Sequence, residues 1–139
     1  MLKYYIHKII INGKLKSFCY YYKFSKKGKY NIKYSFSNKL SNINYIFYGC
    51  ISLVNIDLSN FNTQKVNNMC YMFCGCNSLV NIDLSNFNTN NINDMRFMFY
   101  ECYSLTSIDL SNFNTQNVSY LSFMFYRCNS LINKKLLRD

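Results

Sequence analysis

Cysteine and histidine are the residues of this sequence whose chemistry could serve a metal site or a nucleophile. The chain has seven Cys and one His, and three of the cysteines, Cys70, Cys74 and Cys76, fall within the segment CYMFCGC. Zinc sites need four ligands and usually take them from two C-x-x-C pairs, whereas these three are spaced C-x-x-x-C-x-C. The spacing favours small buried thiols, with metal binding as the alternative. We predict no metal and no other cofactor.

Catalytic motifs are missing from the sequence. His7 lies in a segment rich in Tyr and Lys, with no Ser or Cys nearby in a recognisable nucleophile motif. Neither a G-x-G-x-x-G motif nor a P-loop occurs, so nucleotide chemistry has no phosphate-binding loop. We therefore expect a protein that is not an enzyme.

A 26-residue repeat is the most specific pattern in the chain. The octet IDLSNFNT occupies residues 56–63 and recurs unchanged at 82–89 and 108–115. Three full copies begin at Cys50, Cys76 and Cys102, a truncated copy begins at Cys128, and a degenerate first copy precedes them. The sequence thus predicts two parts, a basic N-terminal segment of residues 1–36 and a repeat array of residues 37–139. The cysteine column predicts stacked, reduced thiols, since seven is an odd number and a reducing compartment is the simpler account.

Two hydrophobic periods follow one another within a copy. Residues 79–85 alternate apolar and polar, which is typical of a strand with one buried face. Further on, Ile92, Met95 and Met98 are spaced three apart, which predicts a short helix capped by the Thr89 hydroxyl. Stacking such copies predicts an α/β repeat fold, a short leucine-rich-repeat-like solenoid with a parallel sheet on one side and short helices on the other.

The repeat also carries a family resemblance. Cys76, Leu79, Ile82 and Leu84 give C-x-x-L-x-x-I-x-L, followed by SNFNT, an apolar stripe and the next Cys. Over residues 37–133 this pattern resembles the BspA-like leucine-rich repeats, also called DUF285 or the mycoplasma-type lipoprotein 25-residue repeat. The resemblance implies a surface-exposed or secreted protein that acts in adhesion and protein binding. We therefore predict a non-enzymatic protein-interaction module whose partner the sequence does not identify.

Two polar columns of the octet are the candidate binding face. Ile56, Leu58 and Phe61 should point inward, so packing explains their identity, but packing does not require the outward Asp and Ser. Stacked carboxylates about 5 Å apart repel one another unless a cation, water or a basic partner screens them. The columns are therefore either a solvated ladder or a ligand-binding face, and their members are Asp57, Asp83, Asp109, Ser59, Ser85 and Ser111.

Residues 1–36 predict an antiparallel β cap for the array. Asn12-Gly13 between two apolar runs is a strong hairpin signal, and solenoid ends need covering. Ten of the sixteen Lys and Arg fall within residues 1–39, which contain no Asp or Glu. The alternative function is therefore a basic arm that binds nucleic acid or anionic surfaces, through Lys14, Lys16, Lys23, Lys26, Lys27 and Lys29.

The remaining expectations concern membranes, location and assembly. No apolar stretch approaches the roughly 18 residues of a membrane span, and no signal peptide is predicted. The family resemblance points to the cell surface or secretion, whereas the missing signal and the reduced cysteines point to the cytoplasm. The fourth copy carries Lys134 and Lys135 in place of the octet's Ile and Asp. We predict a monomer with an open C-terminal edge, which these charges protect from pairing.

Overall fold

Three short strands in the N-terminal part of the chain form an antiparallel sheet. The computed structural model describes residues 6–11, 14–16, 32–36 and 41–135. Strands β1 (Ile6–Ile11), β2 (Lys14–Lys16) and β3 (Ile32–Phe36) lie in the order β2-β1-β3, with β1 antiparallel to both neighbours. The predicted Asn12-Gly13 turn falls between β1 and β2 but lies outside the described residues.

The chain divides into two compact units, Met1–Leu40 and Ser41–Asp139. The repeats occupy the second unit. The role of residues 1–36 as a cap for the repeats stays a prediction.

Each repeat is built around a segment of consecutive tight turns, here called the turn run: residues 43–50, 69–76, 95–102 and 121–128. In the second turn run the amides of Met72, Cys74 and Cys76 donate to carbonyl oxygens three residues earlier, at 3.2, 3.3 and 3.0 Å. The intervening amides instead donate to carbonyl oxygens of the next copy, at 2.8 to 3.0 Å. Turn bonds and bonds between copies therefore alternate along the chain.

The predicted helices are absent from the described residues, so the α/β solenoid prediction is wrong. A helix requires bonds four residues back, whereas the turn runs bond three back. Left-handed backbone at Tyr71 (φ 57°) and Gly75 (φ 74°) also interrupts any helical path. Turns that close over three residues space apolar side chains three apart, as a helical stripe does, and this misled the prediction. Thr89 accordingly caps no helix.

The predicted continuous parallel sheet is not formed by the described residues either. Strands β4 (Ser107–Asp109) and β5 (Asn133–Lys135) pair in parallel over three residues each. Elsewhere the copies meet at isolated parallel bridges, which join Asn42 to Asn68, Asn68 to Asp94, and Asp94 to Tyr120.

Equivalent side chains of successive copies pack on one another in the core. The rings of Phe47, Phe73, Phe99 and Phe125 stack with centroid separations of 5.3, 5.4 and 5.6 Å. Each fully buried aromatic ring contributes about 2–3 kcal/mol to folding by leaving water. The rest of the core is mainly aliphatic and Met side chains, including Val66, Met69, Met72, Leu79, Leu84, Ile92, Met95, Met98, Leu105 and Leu110.

Candidate functional site

The aspartates of the octet are exposed, and each stabilises its own turn. One carboxylate oxygen of Asp57, Asp83 and Asp109 accepts the amide of the Ser two residues later, at 2.9 Å in every copy. Such bonds are the usual reason for Asp at the start of a turn. The Ser85 amide, and then its hydroxyl, lower the pKa of Asp83 below its ordinary value. Local folding therefore accounts for the Asp column.

The octet's Asn and Thr side chains bond across copies. The amide nitrogen of Asn86 donates to the carbonyl oxygens of Leu58 and Ser59, at 2.9 and 3.0 Å. The Thr63 hydroxyl donates to the Asn88 carbonyl oxygen at 3.0 Å and accepts the Asn88 amide at 2.8 Å. These bonds join neighbouring copies where the predicted sheet is missing. Most of the octet is thus explained by its role as a scaffold.

The octet serines keep the weakest structural role. Ser59, Ser85 and Ser111 are exposed, and the Ser59 hydroxyl accepts a long bond of 3.4 Å from its neighbour Asn60. The Asp and Ser residues of the octet are all exposed. Ligand binding by these six residues stays a prediction.

The basic arm is only partly described. Lys14 and Lys16 lie on β2, and Lys14 is exposed. Lys23, Lys26, Lys27 and Lys29 lie outside the described residues. Polyanion binding by this arm stays a prediction as well.

The cysteine column forms a ladder of thiols, of which Cys76 and Cys102 are buried, Cys128 is half-buried and Cys50 is exposed. The Sγ of Cys76, Cys102 and Cys128 donates to the carbonyl oxygens of Phe47, Phe73 and Phe99, at 3.2, 3.2 and 3.0 Å. Burial raises the pKa of the Cys76 thiol to about 12, so this thiol is protonated at neutral pH. The cysteines that the structure describes are thiols rather than disulfides. Among the described residues no three His, Cys, Asp or Glu side chains are grouped to hold a metal ion.

A column of stacked aromatic rings runs along the turn runs, and its end members are exposed. We call Tyr45, Tyr71, Phe97 and Phe123 the aromatic strip. Successive rings stack with centroids 4.8, 4.6 and 5.2 Å apart and planes within 7°, 9° and 17° of parallel. Tyr45 is 45% exposed and Phe123 is 55% exposed, whereas the two inner rings are half-buried.

Backbone conformation fixes the aromatic strip in place. All four residues have positive φ, between 56° and 60°, and in the first three copies each is the third residue of a turn closed by a bond three residues back. Positive φ at the third position is what a type II turn requires. The amides of Tyr45, Tyr71 and Phe97 also donate to the next copy, at 3.2, 3.0 and 3.2 Å. In these three copies the backbone that carries the ring is therefore held by a turn hydrogen bond within its own copy and by a hydrogen bond to the next copy.

Tyrosines flank the aromatic strip. Tyr100 and Tyr126 stack on each other at 5.4 Å, and they contact the strip at Phe97 and Phe123 with tilted or edge-on rings, at 5.6 and 5.7 Å. Tyr48 holds the equivalent position in the first copy and is 56% exposed. In three of the four copies a tyrosine therefore lies beside the ring of the aromatic strip, so that the exposed aromatic surface is two side chains wide there.

Two ion pairs lie on the same turn runs. Arg96 and Asp94 form a two-pronged pair at 3.0 and 2.7 Å, and Arg127 and Glu101 pair at 2.9 Å. Burial would raise the pKa of Asp94, but the hydrogen bonds and charge of Arg96 lower it below its ordinary value. The Arg96 guanidinium also lies 4.7 Å above the ring of Tyr120, a cation–π contact.

Sequence reasoning missed the aromatic strip, although a signal for it was present. The four positions are aromatic at the same 26-residue spacing as the core Phe column. Periodicity shows that they are equivalent but not which way they face, since that depends on the turn conformation.

Comparison with known families matches residues 19–137 to a family described as "Mycoplasma protein of unknown function, DUF285". The chain belongs to the DUF285 family. The match covers most of the chain and includes every copy of the repeat, which confirms the resemblance found in the sequence. No curated protein and no solved structure was found to match. The described residues of this DUF285 chain include no helix long and apolar enough to cross a membrane.

Proposed function

We propose that this DUF285 chain is a non-enzymatic module that binds a protein partner through its aromatic strip. The observation that carries the proposal is the column of four stacked rings whose ends, Tyr45 and Phe123, are about half exposed. Exposed apolar patches of this kind mark interaction surfaces. Tyr and Arg, which are enriched at binding hot spots, are both present here.

Rigidity supports the same proposal. Binding is weakened when side chains must be ordered at the interface, at about 0.5–1.5 kcal/mol for each flexible side chain. The inner rings of Tyr71 and Phe97 are held between stacked neighbours at 4.6 to 5.2 Å. They are therefore ordered before a partner arrives.

The geometry of the two inner rings, Tyr71 and Phe97, favours protein over sugars and nucleic-acid bases. Nucleic-acid bases bind single-strand sites by stacking on the faces of aromatic side chains, and a sugar packed on an aromatic ring would need the same open face. Both faces of Tyr71 and of Phe97 are covered by the next ring of the column, so these two residues offer solvent only their edges. Ring edges suit the side chains and carbonyl groups of a polypeptide.

The proposal includes the absence of catalysis. Burial raises the pKa of the Cys74 and Cys76 thiols to about 11 and 12, so neither is ionised at neutral pH, and the thiolate is the reactive form. This supports a binding role over a nucleophilic one.

Two surfaces are compared by mutation: the aromatic strip and the octet face, which is formed by the Asp and Ser columns of the octet. The comparison shows which of them binds the partner. The full chain is immobilised as the parent, as Tyr45→Ala/Phe123→Ala, and as Ser85→Ala/Ser111→Ala, and captured proteins are quantified by mass spectrometry. We expect a partner that the strip variant loses and the serine variant keeps. The reverse result would show that the octet face is the binding surface. Circular-dichroism melts check that all three chains are folded.

The basic arm is a second candidate, favoured by the crowding of Lys within residues 1–39 and by the exposure of Lys14. Binding of a polyanion by this arm should weaken steeply as salt rises from low to physiological concentration. Heparin chromatography of Lys14→Gln/Lys16→Gln/Lys23→Gln against the parent measures it. An unchanged elution position would argue against a role for these lysines.

A further inference from the structure

We propose that the aromatic strip recognises an acidic polypeptide segment, whose carboxylates meet the ring edges and the neighbouring guanidinium groups. This inference rests on the proposed function and names the chemistry of its partner. It follows from what the strip presents to solvent, which is ring edges and phenol groups, and from the exposed guanidinium of Arg127 beside its Phe123 end.

Ring edges attract negative charge. An aromatic ring carries a quadrupole that is negative on its faces and positive at its edge. The Tyr71 ring is stacked on both faces, at interplanar angles of 7° to Tyr45 and 9° to Phe97. The Phe97 ring is also stacked on both faces, by Tyr71 and, at 17°, by Phe123. The part of these rings that remains for a partner is the positive edge. A carboxylate or carbonyl oxygen in the plane of the ring is the matching group.

The two ion pairs expose their cations more than their anions, and the pair of Arg127 is the one that contacts link to the strip. The Arg96 side chain is 43% exposed and its partner Asp94 is 7% exposed. The Arg127 side chain is 53% exposed and its partner Glu101 is 28% exposed. Both pairs are formally neutral, yet the group turned toward solvent is in each case the guanidinium. A guanidinium also binds carboxylates through two parallel hydrogen bonds.

Contacts link Arg127 to the strip. Its guanidinium lies 5.6 Å from the ring centroid of Tyr126, and the Tyr126 ring lies 5.7 Å from that of Phe123. An acidic side chain that contacts the edge of Phe123 therefore has a cation within the same small surface. Among the described contacts, the Phe123 end is where a guanidinium comes closest to the rings of the strip.

A peptide suits this surface better than another polyanion. The bases of a nucleic acid would need open ring faces, and the inner rings Tyr71 and Phe97 have both faces stacked, whereas stacking supplies about 1–3 kcal/mol per base in single-strand binding. An acidic peptide needs no such face, since its apolar side chains fill the spaces between ring edges while its carboxylates meet the cations.

Peptides that differ only in charge provide the test. Three fluorescein-labelled peptides of alternating Val with Glu, Gln or Lys, and a labelled oligothymidine, are titrated with the full chain, and binding is followed by fluorescence anisotropy. The Glu peptide should bind about tenfold or more tightly than the Gln peptide, and the Lys peptide should not bind. Equal affinity for the Glu and Gln peptides, or no binding of the Glu peptide, overturns the inference.

Three variants locate the binding. Phe123→Leu keeps an apolar side chain but removes a ring edge, and Arg127→Gln removes the exposed cation. Lys65→Gln, which alters an exposed lysine outside the turn runs, is the matched control for charge. We expect the first two to weaken Glu-peptide binding severalfold and the control to leave it unchanged. Equal binding by all variants would show that the peptide binds elsewhere on the chain and would overturn the inference.

The outcomes separate this inference from the proposed function. If the Gln peptide binds as tightly as the Glu peptide and both depend on Phe123, the strip is a protein-binding surface without charge preference. If oligothymidine binds and depends on Phe123, nucleic acid is the occupant, and both proposals fail. Tyr45→Leu, at the other end of the strip, repeats the test should Phe123→Leu melt at a lower temperature.

Discussion

The Thr89 hydroxyl both donates to and accepts from one residue of the next copy. It donates to the carbonyl oxygen of Asn114 at 3.2 Å and accepts the Asn114 amide at 2.8 Å. Thr63 makes the same pair of bonds with Asn88. The buried hydroxyl thus supplies both the donor and the acceptor that two backbone groups of a neighbouring strand would supply in a sheet. In this way the octet's Thr holds neighbouring copies in register.

Replacing this hydroxyl should destabilise the fold. Thr89→Val keeps the shape but removes the hydroxyl partner of the amide and carbonyl of the half-buried Asn114, at a cost of about 1–3 kcal/mol. Thr89→Ser keeps the hydroxyl, so its free energy of unfolding should fall clearly less than that of Thr89→Val. Urea unfolding of both variants measures the difference, and equal losses would mean that the methyl packing, rather than the hydrogen bonds, matters.

Asp94 offers a second stability test, because its carboxylate serves two partners. It accepts the Arg96 amide at 3.0 Å and the Arg96 guanidinium at 3.0 and 2.7 Å. Asn42 and Asn68 hold the equivalent positions and accept the amide of the second residue after them. We expect Asp94→Ala to cost about 1–3 kcal/mol and Asp94→Asn to recover most of it, measured by urea unfolding. Equal costs would show that the ion pair outweighs the turn bond.

The sequence predicted the period and the inward-facing columns but not the backbone that connects them. Leu84 is buried and Ile82, two residues earlier, is half-buried, because alternation reports the inward side of the chain whatever the local hydrogen bonding. The spacing of Ile92, Met95 and Met98 could not distinguish a helix from successive turns, since both bring every third residue to one side. The deciding feature is positive φ at an aromatic residue, which composition does not reveal.

The candidate site was predicted less well than the core. Outward exposure of Asp57, Asp83 and Asp109 left a solvated ladder and a binding face both open, and in the structure each Asp bonds to its own turn. A side chain that recurs without a core role can be needed for a turn, and only the hydrogen bonds show this. The strip residues were visible as a repeated aromatic column, but their exposure depends on the turns.

Acid should reveal the turn bond of Asp83. Hydrogen bonds from Ser85 lower the pKa of this carboxyl below its ordinary value near 3.8. A lowered folded-state pKa contributes stability above the ordinary value, and this contribution is lost as pH falls through the folded-state value. Asp83→Asn does not titrate, so its melting temperature should fall less than the parent's between pH 5 and roughly pH 2, the range over which carboxylates protonate. Parallel curves would show that the carboxylate bond does not affect stability.

Thiol alkylation should follow exposure along the cysteine column. Cys50 is exposed, whereas Cys76 and Cys102 are buried and burial raises the pKa of both. Iodoacetamide at neutral pH should modify Cys50 first and reach the other two only in denaturant, as read by peptide mass spectrometry. Rapid labelling of Cys102 in the folded chain would contradict the buried ladder.

Site-specific photo-crosslinking tests whether the aromatic strip contacts a protein partner. A photoreactive phenylalanine analogue is placed at Phe123 on the aromatic strip or at Ser111 on the octet face, and the full chain is irradiated in its native cells. We predict discrete protein adducts from position 123 and none from position 111. Adducts from position 111 alone would contradict the account and assign binding to the octet face.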